Sequence, residues 1–167
     1  NILHVARIRE AWPGARILHI VRDPRDVFAS LRQARKWDTA AEFGARWCAF
    51  LGAAAAVRGT DLLELRYEDL VTNPEATMRR VLEHLDEPWQ PEVACFAGQA
   101  EDFDRVLAAT GKASTTLERL REPLTERRVG IWQGLIPDDE LAGLRAAAVE
   151  HGLGDLYDRI VSQTPGE

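Results

Sequence analysis

Ile17-Leu18-His19-Ile20-Val21-Arg22-Asp23-Pro24-Arg25-Asp26-Val27-Phe28-Ala29-Ser30 is the stretch on which the fold turns. Its opening run, Ile17 to Val21, is continuous rather than alternating, which predicts a strand buried on both faces. The run ends abruptly at Arg22. Asp23 then suits a helix N-cap, and Pro24 suits the first helical position, where its missing N–H would be unpaired anyway. Asp26 adds negative charge to the first turn, where the helix dipole favours it. A helix is therefore expected from Pro24 to the neighbourhood of Arg35, with Val27, Leu31 and Ala34 on its core face.

Working outward, Ile2 to Trp12 has partial helical periodicity and is stopped by Pro13-Gly14. Downstream, Thr39-Ala40-Ala41-Glu42 reads as a capping box. Phe43, Trp47, Phe50, Leu51 and Ala54 follow at helical spacing. Gly59-Thr60-Asp61 breaks that helix, and Leu62 to Tyr67 reads as a second strand. Asn73-Pro74 repeats the cap-then-proline signal ahead of a stripe of Met78, Val81, Leu82 and Leu85, and Pro88 and Pro91 punctuate its end. From Gly98 to Thr125 the pattern weakens, and a mobile or substrate-facing segment is expected. A last helix from about Asp138 carries Leu141, Leu144, Ala148 and Val149, with Gly152 placed to end it. Strands alternating with helices in this order predict an α/β fold with a parallel sheet flanked by helices, in a single domain over residues 1–167.

The 167 residues, 46% hydrophobic and 29% charged, can bury one core. A net charge of −6 argues against nucleic acid or a membrane surface as partner, since both reward a basic face. A local basic pocket is compatible with that balance. Cys48 and Cys95 stand alone and read as thiols in a reducing compartment. His4, His19, His84 and His151 are scattered without ligand spacing, so no metal site is expected. No apolar run reaches the roughly 18 residues of a membrane span. The opening residues lack a signal-peptide layout, and a cytoplasmic location is the expectation. Oligomeric state is not legible.

The chemistry-bearing residues cluster at three places. Arg22 stands where a strand hands over to a capped helix, the crevice in which open α/β sheets bind ligands, and its fork can hold a phosphate bidentately. Ser30 lies eight positions on and can offer a hydroxyl to the same anion. Taken alone, Arg22, Asp23, Arg25 and Asp26 also fit a solvated ion-pair cluster around a helix start. Tyr67, in Leu65-Arg66-Tyr67-Glu68-Asp69-Leu70, sits at the end of the second predicted strand, with an aromatic edge and a hydroxyl suited to a purine. Arg127-Arg128-Val129-Gly130-Ile131-Trp132 places two arginines before a glycine that allows close backbone approach to an anion.

In this order the three blocks resemble the sulfotransferases that use 3'-phosphoadenylyl sulfate (PAPS), closest to their broad bacterial-type group. The first resembles that family's 3'-phosphate motif, the second its YEDL block and the third its late arginine–glycine–tryptophan block. The resemblance implies a P-loop NTPase-like parallel sheet and transfer of a sulfuryl group from PAPS to a hydroxyl or amine, releasing PAP. It places Arg22, Ser30, Arg127 and Arg128 on the 3'-phosphate, with Arg128 preferred over Arg127, and Tyr67 by the adenine. Small-molecule, carbohydrate and lipid acceptors are the expected partners.

One part of the family pattern has no counterpart. No strand runs into a Lys- and Ser/Thr-containing loop that would cradle the 5'-phosphosulfate. Gly111-Lys112-Ala113-Ser114 fails as one, because Val106 stands where a glycine is required. With Met78 the sole methionine, the expectation is an N-terminally truncated domain, lacking its first strand and that loop. The catalytic base and activating lysine would then precede Asn1, and no catalytic residue is assigned. Two other readings are a PAP-binding module without chemistry and an interaction domain using Trp37, Trp47 and Phe50.

Overall fold

The computed structural model describes residues 2–34, 39–94 and 125–163. Two short strands, β1 (Ile17–Val21) and β2 (Leu62–Arg66), pair in parallel with Ile17 opposite Leu62 and Val21 opposite Arg66. Parallel neighbours need a crossover. Here it is made by α2 (Pro24–Gln33) and α3 (Ala40–Ala56). Ahead of β1, a 3-10 turn at Ile2–His4 leads into α1 (Val5–Ala11), and Trp12 caps the helix end before Pro13.

The local signals act as their chemistry requires. Asp23 accepts the Arg25 N–H at 2.8 Å, and Pro24 opens α2. Thr39 accepts the Glu42 N–H at 3.3 Å to start α3. Beyond β2 the chain forms α4 (Tyr67–Thr72) and α5 (Pro74–Leu85), with Asn73 between them accepting the Ala76 N–H at 3.4 Å. The C-terminal part is α6 (Asp138–Glu150) and α7 (Gly154–Ser162), separated by Gly152 at a φ of 70°.

The main core lies between α2, α3 and α6, where Phe28, Phe43, Cys48, Leu144, Ala148 and Tyr157 are buried together. The Phe28 and Phe43 rings stack with centroids 5.4 Å apart. At the α3–α6 crossing Gly44 is indispensable to the spacing, since a Cβ there would stand 2.8 Å from that of Ala147. A second cluster packs Ile17 and Leu62 of the sheet against Ile2, Val5 and Ala54.

Several expectations are corrected. β1 is not buried on both faces: Ile17 and Val21 face the core, but Leu18 and Ile20 are 42% and 54% exposed. α5 packs on β2, whose Leu65 is buried opposite the exposed Ile20. The inward side of α2 is set by Phe28 and Ala29, with Val27 and Leu31 only partly buried. The helix ends at Gln33, and Arg35 lies outside the described residues. Tyr67 opens α4 instead of closing β2, and Val149 is exposed. The helix over 154–162 has no counterpart in the sequence-based expectation. Cys95, Trp37 and nearly all of the Gly98–Thr125 segment, including Gly111-Lys112-Ala113-Ser114, lie outside the described residues.

Candidate functional site

β1 ends at Val21, so Arg22 is the first residue beyond the strand and enters the crevice at the carboxyl edge of the sheet. Its guanidinium lies 4.5 Å from the Tyr67 ring centroid, a cation–π contact. Nη2 donates to the carbonyl of Arg128 and stands 3.9 Å from Asp26 Oδ2. Nε–H is buried and has no hydrogen-bond partner among the described residues. Three residues far apart in sequence, Arg22, Tyr67 and Arg128, are thus brought to one point.

Buried acids fasten that point from behind. Asp26, 1% exposed, accepts the Gly130 N–H at 2.8 Å on Oδ2 and the Trp132 N–H at 3.1 Å on Oδ1. Burial pushes its carboxyl above the ordinary range, while those backbone donors and the Arg22 charge pull it back. Gly130 adopts a φ of 74°, which fits the chain to this close approach. Glu68, also buried, accepts the Asp23 N–H at 2.9 Å on Oε1; its Oε2 has no hydrogen bond among the described residues and lies 3.6 Å from Arg66 Nη2. Asp23 holds Arg25 with a shortest contact of 2.6 Å, and Arg25 lies 4.3 Å over the Trp132 ring. The charges around the start of α2 are therefore no solvated cluster, for Asp23, Asp26 and Glu68 are all buried.

An arginine with an unanswered buried donor, beside a glycine turn carrying two more arginines, is chemistry for an anion. A cleft of about 160 Å³ runs from Arg22 back along Val21 and Ile20 to Trp47 and Phe50 of α3. Among the described residues, no group of three His, Cys, Asp or Glu could hold a metal ion.

Residues 1–91, more than half of the chain, match the family model described as sulfotransferase family. The chain belongs to that family. Among curated proteins, it is 28% identical over 157 residues to protein-tyrosine sulfotransferase A of Caenorhabditis elegans, covering 84% of this chain and 39% of that one. It is 27% identical over 148 residues to the protein-tyrosine sulfotransferase of Drosophila melanogaster, covering 78% of this chain and 28% of that one. The chain thus spans only about a third of the length of these relatives. Their names specify a protein tyrosine acceptor, a class outside the small-molecule, carbohydrate and lipid partners expected from the sequence.

In this sulfotransferase-family chain the residues singled out from sequence are unevenly placed. Arg22, Tyr67 and Arg128 converge, although Tyr67 turns a ring face to Arg22 and the Arg128 contact is through its carbonyl. Arg127 is exposed, with its N–H given to Thr125 Oγ1 at 3.2 Å. Ser30 lies one turn beyond Asp26 on the same face of α2, and no hydrogen bond joins it to the other four among the described residues. The supporting roles of Asp26 and Glu68 escaped sequence reasoning, although both stand inside the singled-out blocks. Trp47 and Phe50 pack against core clusters. No helix among the described residues is long and apolar enough to cross a membrane.

Proposed function

We propose that this chain carries the 3'-phosphate and adenine side of a PAPS site, within a P-loop NTPase-like sulfotransferase that acts on a hydroxyl. PAPS supplies the sulfuryl group when bound, on a phosphosulfate linkage whose leaving group is PAP. Arg22 holds the 3'-phosphate through its guanidinium, and the Arg127–Gly130 turn brings the side chain of Arg128 to the same anion. Ser30 adds a hydroxyl from the next turn of α2. Tyr67 keeps the Arg22 fork in plane from one side and lines the adenine side of the pocket. Holding a leaving nucleotide this way contributes through position and charge, the main terms in such group transfers. The relatives' names favour a protein tyrosine phenol as the hydroxyl acceptor.

The observation that carries the reading is the convergence of Arg22, Tyr67 and the Arg127–Gly130 turn just beyond the end of β1. Calorimetric titration of PAP, with AMP as the control lacking the 3'-phosphate, tests it. Saturable binding that prefers PAP is expected. Arg22→Ala should weaken PAP at least about tenfold, since a charge-assisted hydrogen bond contributes about 1.5–3 kcal/mol. Unchanged affinity in that variant would remove Arg22 from the site.

A further inference from the structure

The nucleotide-binding reading uses the arginines but not the most deeply buried acid beside them. Asp26 is 1% exposed, and a carboxylate is buried at a loss unless its lone pairs are filled. The residues that fill them come from a distant part of the chain: Gly130 N–H at 2.8 Å and Trp132 N–H at 3.1 Å. The donors lie two and four residues after Arg128. Oδ2, the oxygen that takes Gly130, also lies 3.9 Å from Arg22 Nη2, and that same nitrogen donates to the Arg128 carbonyl. One carboxylate therefore ties the guanidinium after β1 to the backbone that carries the second arginine.

We propose that Asp26 is a positioning residue for 3'-phosphate recognition, pinning the Gly130–Trp132 backbone to the first turn of α2 so that Arg22 and Arg128 present one fixed site. This rests on the nucleotide reading above. Asp26 touches no nucleotide atom in this scheme and acts through the turn.

The sign of one substitution separates this role from a purely electrostatic one. A carboxylate close to a phosphate repels it, so removing the charge without disturbing the turn should tighten PAP binding. Asp26→Asn keeps the size of the side chain but converts one acceptor into a donor, which cannot take both backbone N–H groups. Positioning therefore requires the opposite result.

Wild type and Asp26→Asn are titrated with PAP and with AMP, and thermal unfolding of each protein is followed alongside. The expected result is at least about tenfold weaker PAP binding, the scale on which losing the partner that orients a binding group is felt. AMP affinity should change by less than about twofold on the same reasoning, because the turn serves only the 3'-phosphate. Should Asp26→Asn fail to fold, Gly130→Pro removes the N–H from the other partner and forbids the positive φ, with the same readout expected. Equal or tighter PAP binding by a folded variant overturns the proposal, as does an equal loss of both nucleotides. A wild type with no preference for PAP over AMP sinks the nucleotide reading and this proposal with it. A wild type that prefers PAP, beside a variant whose preference is undiminished, sinks the role of Asp26 alone.

Discussion

The two sides of α2 are held by opposite means. On one, Phe28 is buried among Phe43, Leu144, Ala148 and Tyr157 of α3, α6 and α7. On the other, Asp26 is as deeply buried and touches backbone N–H groups and a guanidinium. Apolar burial is non-directional and contributes about 1.5–3 kcal/mol for each large side chain. A buried hydrogen bond nets only about 0.5–1.5 kcal/mol, but losing one partner costs more than the bond supplied. The helix thus takes its stability from the first side, while the second sets where groups point. Of the four buried polar or charged residues described, Asp23, Asp26 and Glu68 all belong to the candidate site, and only Thr77 lies elsewhere.

The sharpest way to break that division is at Phe28. Phe28→Ala should cost about 3–5 kcal/mol in urea unfolding, the range for emptying a well-packed aromatic position. Its ratio of PAP to AMP affinity, measured where the variant is folded, should match wild type. A collapsed ratio would mean that the two sides of α2 are not separable. Next in size is Gly44→Val at the α3–α6 crossing, expected to cost about 1–3 kcal/mol through overpacking. Part of that loss should return in the double variant with Ala147→Gly, because the added Cβ stands 2.8 Å from the Ala147 Cβ. No recovery would place the strain elsewhere.

What was legible in the sequence divides along the same line. Asp23-Pro24, Thr39 with Glu42, and Asn73-Pro74 announce their helix starts because a cap and its donors lie within three residues of one another. The parallel pairing of β1 and β2 follows from the helices between them. The inward side of α2 was harder: Val27, Leu31 and Ala34 fit the helical period, yet Phe28 and Ala29 are buried deepest, since the partner helices choose the rotation. A continuous apolar run likewise cannot say whether anything covers each of its faces, which is why Leu18 and Ile20 were misjudged. In the candidate site, the position of Arg22 just beyond β1 was readable from local context, whereas Tyr67 was expected at the end of β2 and opens α4. The work of Asp26 and Glu68 was not, because the backbone donors they accept from lie 104 and 45 residues away.

The smallest effect is expected at a polar pair that spans the two strands. His19 Nδ1 and Glu64 Oε2 stand 3.2 Å apart across the paired strands. The hydrogen bond from His19 holds the Glu64 carboxyl below its ordinary range, with burial working against it. A carboxyl lowered by folding contributes stability that is present above its unfolded value, about 4.3, and is lost as pH falls through the lowered folded value. Glu64→Gln should therefore flatten the acid limb of the stability profile. With the Glu64 side chain 43% exposed, solvent screening limits the change to about 0.2–1 kcal/mol. Urea midpoints of wild type and variant, compared above and below that window, give the answer. A loss well beyond that range would make this cross-strand pair as directional as the buried acids of the candidate site, and polar geometry would then support the sheet as well as that site.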